Sequence, residues 1–310
     1  MADFISAMDT ASRRGQQSII DMREFFKRNY KLIAIGIMMV AGLSLLVYPL
    51  VANTWNNHVQ AELVNNYSET VTSAIEEGKL DVDAELGKAV QYNAELLPSI
   101  LPDSFAEAQA NGTDANYMSI LNANNDGVMG YIQIPSINVK LPIFHTTDED
   151  VLQKGVGHLE GSSLPVGGPD THSVLSAHRG LPSATLFTDL DKMEIGEDFF
   201  IVIMGDYFAY EVDQINVVEP DDTDLLAVED GQDLCTLVTC TPYGVNTQRL
   251  MVRGHRVEYT PTLLEDAKTP AFGAVSLRTN YLLWVIVGLA IVAAFIAVLA
   301  IYDKKHSKKD

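Results

Sequence analysis

Two uninterrupted apolar runs, Leu32 to Ala52 and Tyr281 to Tyr302, constrain this chain more than anything else in its 310 residues. Each holds about 20 residues without a charge, the length a helix needs to cross a bilayer core, where only a helix or closed barrel satisfies the backbone. Both are predicted to span. Leu50-Val51-Ala52 could be cut as the end of a secretory leader, but the run exceeds the usual apolar stretch of about 7 to 15 residues and reads as an uncleaved anchor. Arg13, Arg14, Arg23, Lys27, Arg28 and Lys31 precede the first run, and Lys304, Lys305, Lys308 and Lys309 follow the second. Excess positive charge stays on the cytosolic side, so the prediction is a two-pass protein of the cell membrane with both termini inside and 53–280 outside.

Charge agrees with that division. The chain carries −20 overall and its two tails +4, which leaves −24 for the rest. Such a surface repels nucleic acid and anionic lipid. It would solubilise the outer segment, and it could attract a lysine-rich protein.

Within 53–280 the texture changes from helical to extended. Val59, Leu63, Tyr67, Val71 and Ile75 recur every four residues and Gly78 closes the pattern; Val82, Leu86, Val90 and Leu97 mark a second helix that ends at Pro98. A helical hairpin over 53–97 that packs on its own domain is predicted. Pro98 to Tyr117 is polar and irregular. From Gly130 onward seven short β-branched runs alternate with turn residues: 130–135, 139–143, 172–177, 199–203, 207–218, 234–240 and 250–259. Seven or eight such strands predict a mainly β domain, a closed barrel or sandwich. Asn122-Ala123-Asn124-Asn125-Asp126-Gly127 copies the opening of a calcium loop, yet position twelve is Gln133 and strands follow, so it reads as an Asx-rich turn. No metal cluster or glycine-rich phosphate loop is present in the sequence, and no cofactor is expected.

The two cysteines, Cys235 and Cys240, face an oxidising compartment where pairing is usual. Five extended residues separate their Cα atoms by about 16 Å and put their side chains on opposite faces, whereas a disulfide tolerates about 7 Å. Cys235, in phase with Leu237, reads as a small core residue and Cys240 as a free thiol. An ordinary thiol near pKa 8.5 is only about 3% thiolate at neutral pH and needs a base. His58 lies beside the membrane and His306 in the cytosol. His178, at the end of the run Ser173-Val174-Leu175-Ser176-Ala177, suits the task, with His145, His158, His172 and His255 left open as rivals. Arg249 follows Cys240 across a Pro/Gly turn and is nearer to it than Arg253 or Arg256, so it is the candidate donor to a substrate carbonyl and its oxyanion. A thiol, a histidine and a guanidinium are what thiolate acyl transfer requires.

These residues resemble a known family. Thr236-Leu237-Val238-Thr239-Cys240 is similar to the TLxTC signature of sortases, and Asn122 to Arg256 resembles their pilin-polymerising class C. Gly130-Tyr131-Ile132-Gln133-Ile134-Pro135, the run Lys154 to Pro165, His178-Arg179-Gly180-Leu181-Pro182 and Cys240-Thr241-Pro242-Tyr243-Gly244 carry the likeness. It implies an eight-stranded sortase-type barrel with Cys240 as nucleophile, His178 as proton partner and Arg249 as substrate and oxyanion ligand. The implied substrate is an LPXTG-type sorting signal, cleaved between Thr and Gly through a thioacyl enzyme that a pilin lysine resolves. Class C members also carry a lid with an Asp-Pro-aromatic motif. Asp103-Ser104-Phe105 stands at that place, with the proline replaced and the turn correspondingly less rigid. Gln248 stands where a histidine is expected, pointing away from Arg249.

The resulting division is a cytosolic tail over 1–31, a span over 32–52, the helical region over 53–97 and a lid over 98–118. The barrel covers 119–262, a juxtamembrane linker 263–280, the second span 281–302 and a basic tail 303–310. Partners implied are pilin subunits and, through both spans, the lipid bilayer. A housekeeping sortase acting on cell-wall peptide and a noncatalytic binding module on the same barrel are the competing readings.

Overall fold

The computed structural model describes residues 2–96, 101–105, 114–267, 286–294 and 297. They fall into two compact units, 1–48 with 277–310, and 49–276. In the first unit the N-terminal tail is not separate from the apolar run. Both belong to α1, which covers Ala2–Glu76 and contains Pro49. Among the described residues this is the one helix long and apolar enough to cross a membrane. Of the second apolar run, 286–294 are helical, and Gly288 lies against Leu46, whose Cδ1 would sit 3.3 Å from an added Cβ. Apart from residue 297, the remainder of that run, the basic tail after it and most of the 263–280 linker lie outside the described residues.

In the second unit the end of α1 and α2, Val82–Glu95, form the expected helical pair. Gly78 adopts φ +66 just past α1, where a side chain would be strained, and Asp81 caps α2 by accepting from Ala84 N. The pair packs on its own domain: Val64, Tyr67, Val71 and Ala89 are buried in the main core. Tyr67 Oη donates to Met129 O at 2.7 Å and accepts from Met204 N at 2.9 Å, which ties α1 to the barrel. Asn93 of α2 bonds both the N–H and the carbonyl of Leu164.

Eight strands close a barrel in the order β1-β2-β3-β4-β7-β8-β6-β5. They are β1 Val128–Ile134, β2 Val139–His145, β3 Val156–His158, β4 Thr171–Ser176, β5 Asp198–Ile203, β6 Asp206–Val218, β7 Asp233–Thr241 and β8 Gln248–Val257. Seven match the β-branched runs. β3 was not predicted, being only three residues with a glycine at its centre. That glycine is required, because a Cβ on Gly157 would stand 2.4 Å from Thr146 O. Three short helices are also additional: α3, Ala115–Ser119, lies where the irregular 98–118 segment was expected to continue, α4, Glu149–Leu152, sits between β2 and β3, and α5, Pro261–Ala267, follows the barrel. Asp114 caps α3 by accepting from Asn116 N, a signal too local for a four-residue apolar period to show. The 122–127 segment is the predicted Asx turn, Asn122 Oδ1 accepting from Gly127 N and Asp126 Oδ1 from Val128 N.

Alternation along β7 sorts its side chains between two environments. Cys235 and Leu237 join the main core, whereas Val238 belongs to a second cluster outside the barrel wall with Leu101, Leu159, Val174, Leu226 and Met251. Both cysteines are free. Phe105, Val218 and Leu225 pack against this second cluster.

Candidate active site

Strand pairing alone brings three candidates into one row. β4 and β7 run parallel with Ser176 opposite Val238, and the pairing continues through Ala177 N to Val238 O at 3.2 Å and Thr239 Oγ1 to Ala177 O at 2.7 Å. Two residues further, His178 comes level with Cys240. On the other side β8 runs antiparallel to β7, and Arg249 is the direct partner of Cys240. With adjacent strands about 4.8 Å apart, histidine and arginine flank the thiol from either neighbour.

Each flank is held firmly. Arg179 fastens the loop after His178: its Nε donates to Thr188 O at 3.1 Å, Nη1 to Thr241 Oγ1 at 3.1 Å, and Nη2 pairs with Asp191. Gly180 follows with φ +78 and the ring of Tyr243 only 3.2 Å from where a Cβ would lie, so a side chain is excluded there on both counts. His178 Nε2 stands 3.1 Å from Glu149 Oε2.

The rival histidines have other work. His145 is buried between Gly127 O and Ile120 O, and His172 between Ala227 O and Thr236 Oγ1. His158, against Tyr117 and Ser163 O, is wholly buried, and burial lowers its pKa to about 4. His255 lies 4.0 Å from Asp213. The rival arginines are also engaged. Arg253 binds Asp213 through Nε and Nη2 and Glu229 through Nη1, and Arg256 lies over the rings of Phe208 and Tyr210.

A short segment covers the row. Asp103 grips Arg249 in a two-pronged pair, Nε to Oδ1 at 2.7 Å and Nη2 to Oδ2 at 2.6 Å. The Phe105 ring lies 5.1 Å from the Arg249 guanidinium and 5.6 Å from the His178 ring. Leu101 enters the outer apolar cluster and is 9% exposed, while its carbonyl accepts from Thr223 Oγ1 at 2.9 Å. Residues 97–100 and 106–113 of the expected lid lie outside the described residues. Under this cover Cys240 is 7% exposed and Arg249 8%. Burial raises the thiol above its ordinary pKa; Arg249 opposes that, while Asp103 and Glu149 reinforce it.

Sequence reasoning named Cys240, His178, Arg249, Asp103 and Phe105, and the structure brings all five together. It missed Leu101, Thr223, Arg179 and Glu149. Leu101 carried a usable signal, an apolar residue two before Asp103 in a largely polar segment; Glu149, 29 positions from His178, carried none. Among the described residues no group of His, Cys, Asp and Glu could hold a metal.

Comparison with known proteins points to one family. The family model for the sortase domain matches residues 132–257, which include His178, Cys240 and Arg249. Sortase D of Bacillus subtilis is 34% identical over 131 residues, covering 41% of this chain and 63% of that protein, so the match spans less than two thirds of this relative. Sortase C-1 from Actinomyces oris is 46% identical with a TM-score of 0.55, covering 57% of this chain and 98% of that structure. Streptococcus pneumoniae sortase C, studied for its catalysis and pilin substrate specificity, is 42% identical with a TM-score of 0.57, covering 64% and 98%. With its closed eight-stranded barrel and near-complete coverage of solved sortase C structures at more than 40% identity, the chain belongs to the sortase family of cysteine transpeptidases.

Proposed function

We propose that this sortase polymerises pilins on the outer face of the cell membrane, cleaving an LPXTG-type signal between Thr and Gly and joining the Thr to a lysine amine. The observation that carries the reading is the row His178-Cys240-Arg249 beneath a lid anchored by Asp103 and Phe105. The thiol gives its proton to His178, and the thiolate attacks the Thr carbonyl carbon while Arg249 donates to the oxygen that gains charge. The C–N bond breaks, the histidine proton leaves with the glycine amine, and a thioester to Cys240 remains. A deprotonated lysine amine then attacks it, forming the isopeptide bond and returning the thiol. The apolar run of α1 supports a membrane anchor, and the second run supports a two-pass arrangement.

The choice of acceptor is tested with full-length enzyme in detergent, given sorting peptide together with a lysine-bearing pilin domain and a short cell-wall amine. The pilin should be consumed and high-mass ladders should form. Consumption of the wall amine alone would assign a housekeeping role, and consumption of neither a noncatalytic one.

The lid implies a second expectation. Asp103→Ala removes the anchor on Arg249 together with a negative charge and a cover that both hold the thiol pKa up, so the pKa falls toward its ordinary value. Thiol alkylation and sorting-peptide hydrolysis at pH 7 should both rise, about tenfold for each pKa unit regained in the thiolate fraction. Phe105→Ala should act in the same direction. Unchanged rates in both variants would remove these residues from the gate.

A further inference from the structure

We propose that Glu149 is a positioning residue for His178, a carboxylate that fixes the imidazole's orientation and tautomer for proton exchange with Cys240. The proposal rests on the transpeptidase reading above and adds a fourth member to its row.

The carboxylate is itself oriented. Glu149 opens α4, Glu149–Leu152, behind Asp148, whose carboxylate accepts from Thr146 Oγ1 at 2.9 Å. Its Oε1 accepts from Gln153 Nε2 at 2.8 Å, which leaves Oε2 for His178 Nε2 at 3.1 Å. The next charged pair, Lys154 with Asp150, engages other side chains.

The two partners are also held by one strut. Gln60 of α1, a buried side chain, donates from Nε2 to Lys154 O at 3.1 Å, pinning the turn after α4. One turn earlier on α1, Asn56 Nδ2 donates to Ser183 O at 2.8 Å, and Asn53 Oδ1 accepts from Thr185 Oγ1 at 2.8 Å. Ser183 and Thr185 belong to the loop that continues from His178. One face of α1 therefore fixes the distance between the loop bearing the histidine and the turn bearing the acid.

The chemistry follows from what a carboxylate can do. It only accepts, so Nε2 must carry the hydrogen, and in the neutral imidazole the lone pair resides on Nδ1. Nδ1 is then the ring nitrogen open to take a proton. An orienting carboxylate behind a catalytic imidazole is a recurrent solution in nucleophilic enzymes. Here the carboxylate is largely exposed, its side chain at 67%, so its charge is screened and its geometric role dominates.

The test uses full-length enzyme in the Asp103→Ala background, where the lid does not limit access. Glu149→Ala should lower kcat for sorting-peptide hydrolysis about three- to fivefold with KM unchanged, the loss expected for an exposed pair worth up to about 1 kcal/mol. Glu149→Gln, whose amide oxygen still accepts from Nε2, should restore the rate to within about twofold. Histidine ring 15N spectra of the wild type, assigned by the signal lost in His178→Ala, should show the Nε2–H tautomer in excess and a more even mixture in Glu149→Ala. An Ala variant with unchanged kcat, a Gln variant as slow as Ala, or an unaltered tautomer ratio would each overturn the assignment. If the Asp103→Ala parent itself cleaves no sorting peptide, the transpeptidase reading fails instead, and the spectra still decide the role of Glu149.

Discussion

Cys240→Ala abolishes both sorting-peptide cleavage and pilin ladders while the protein stays folded. The thiol, once ionised, is the strongest nucleophile in the row, with His178 beside it to move the proton and Arg249 to bind charge. Removing a nucleophile from such a unit costs about a thousandfold or more in kcat, because the remaining groups have no bond-forming partner to assist. The fold should barely change. Cys240 points outward from β7 beside Val238, so replacing its sulfur by hydrogen trims the edge of the outer cluster and leaves the interior of Cys235 and Leu237 untouched. A loss of about 1 kcal/mol corresponds to about 2–4 °C in melting temperature for a domain of this size. Peptide turnover by mass spectrometry and melting by circular dichroism check the two halves separately. Turnover within a hundredfold of wild type would displace Cys240 as nucleophile. A collapse in melting temperature would mean that its contribution is structural.

The parts of this site legible in sequence were those fixed by local pattern. Alternation along Leu234 to Cys240 separated the buried thiol from the outward one, and the same alternation now divides the two apolar clusters. The turn between Cys240 and Arg249 made them neighbours because an antiparallel pair needs only a short loop. His178 is a different case. Its place beside Cys240 comes from parallel pairing of β4 with β7, strands more than 50 residues apart, and no local spacing announces such a register. Spacing alone left four rivals, and the structure separates them by what each ring touches. Glu149 and Leu101 illustrate the remaining limit: one reaches the histidine from α4 and the other enters the cleft from the lid, and both depend on tertiary approach. The continuous α1 was likewise hidden, because charge and hydropathy divide it into tail, span and amphipathic segment while the backbone runs through all three. β3 escaped because three residues around a glycine carry too little periodicity to register.

Arg249→Ala should lower kcat for peptide hydrolysis about a hundredfold to a thousandfold, the usual cost of deleting a donor aimed at a developing oxyanion. Two effects oppose each other in this variant, so the background matters. Arg249 also anchors the lid through both oxygens of Asp103, and its removal frees Phe105 from one of its two ring contacts. In the native background, part of the chemical loss is therefore masked by better access to Cys240. In the Asp103→Ala background the latch is already gone and the same substitution reads the chemical step alone, so the measured drop should be larger there. That non-additivity distinguishes the two roles, as interacting residues require. Arg249→Lys should recover little. The planar fork engages a carboxylate through Nε and Nη2 together, and an ammonium on a flexible stem can neither reproduce that pair nor present two parallel donors to a carbonyl oxygen. If Arg249→Ala were faster than the parent even with the lid unlatched, the guanidinium would serve only to hold the lid. A Lys variant at full rate would reduce its role to placing a positive charge beside the thiolate.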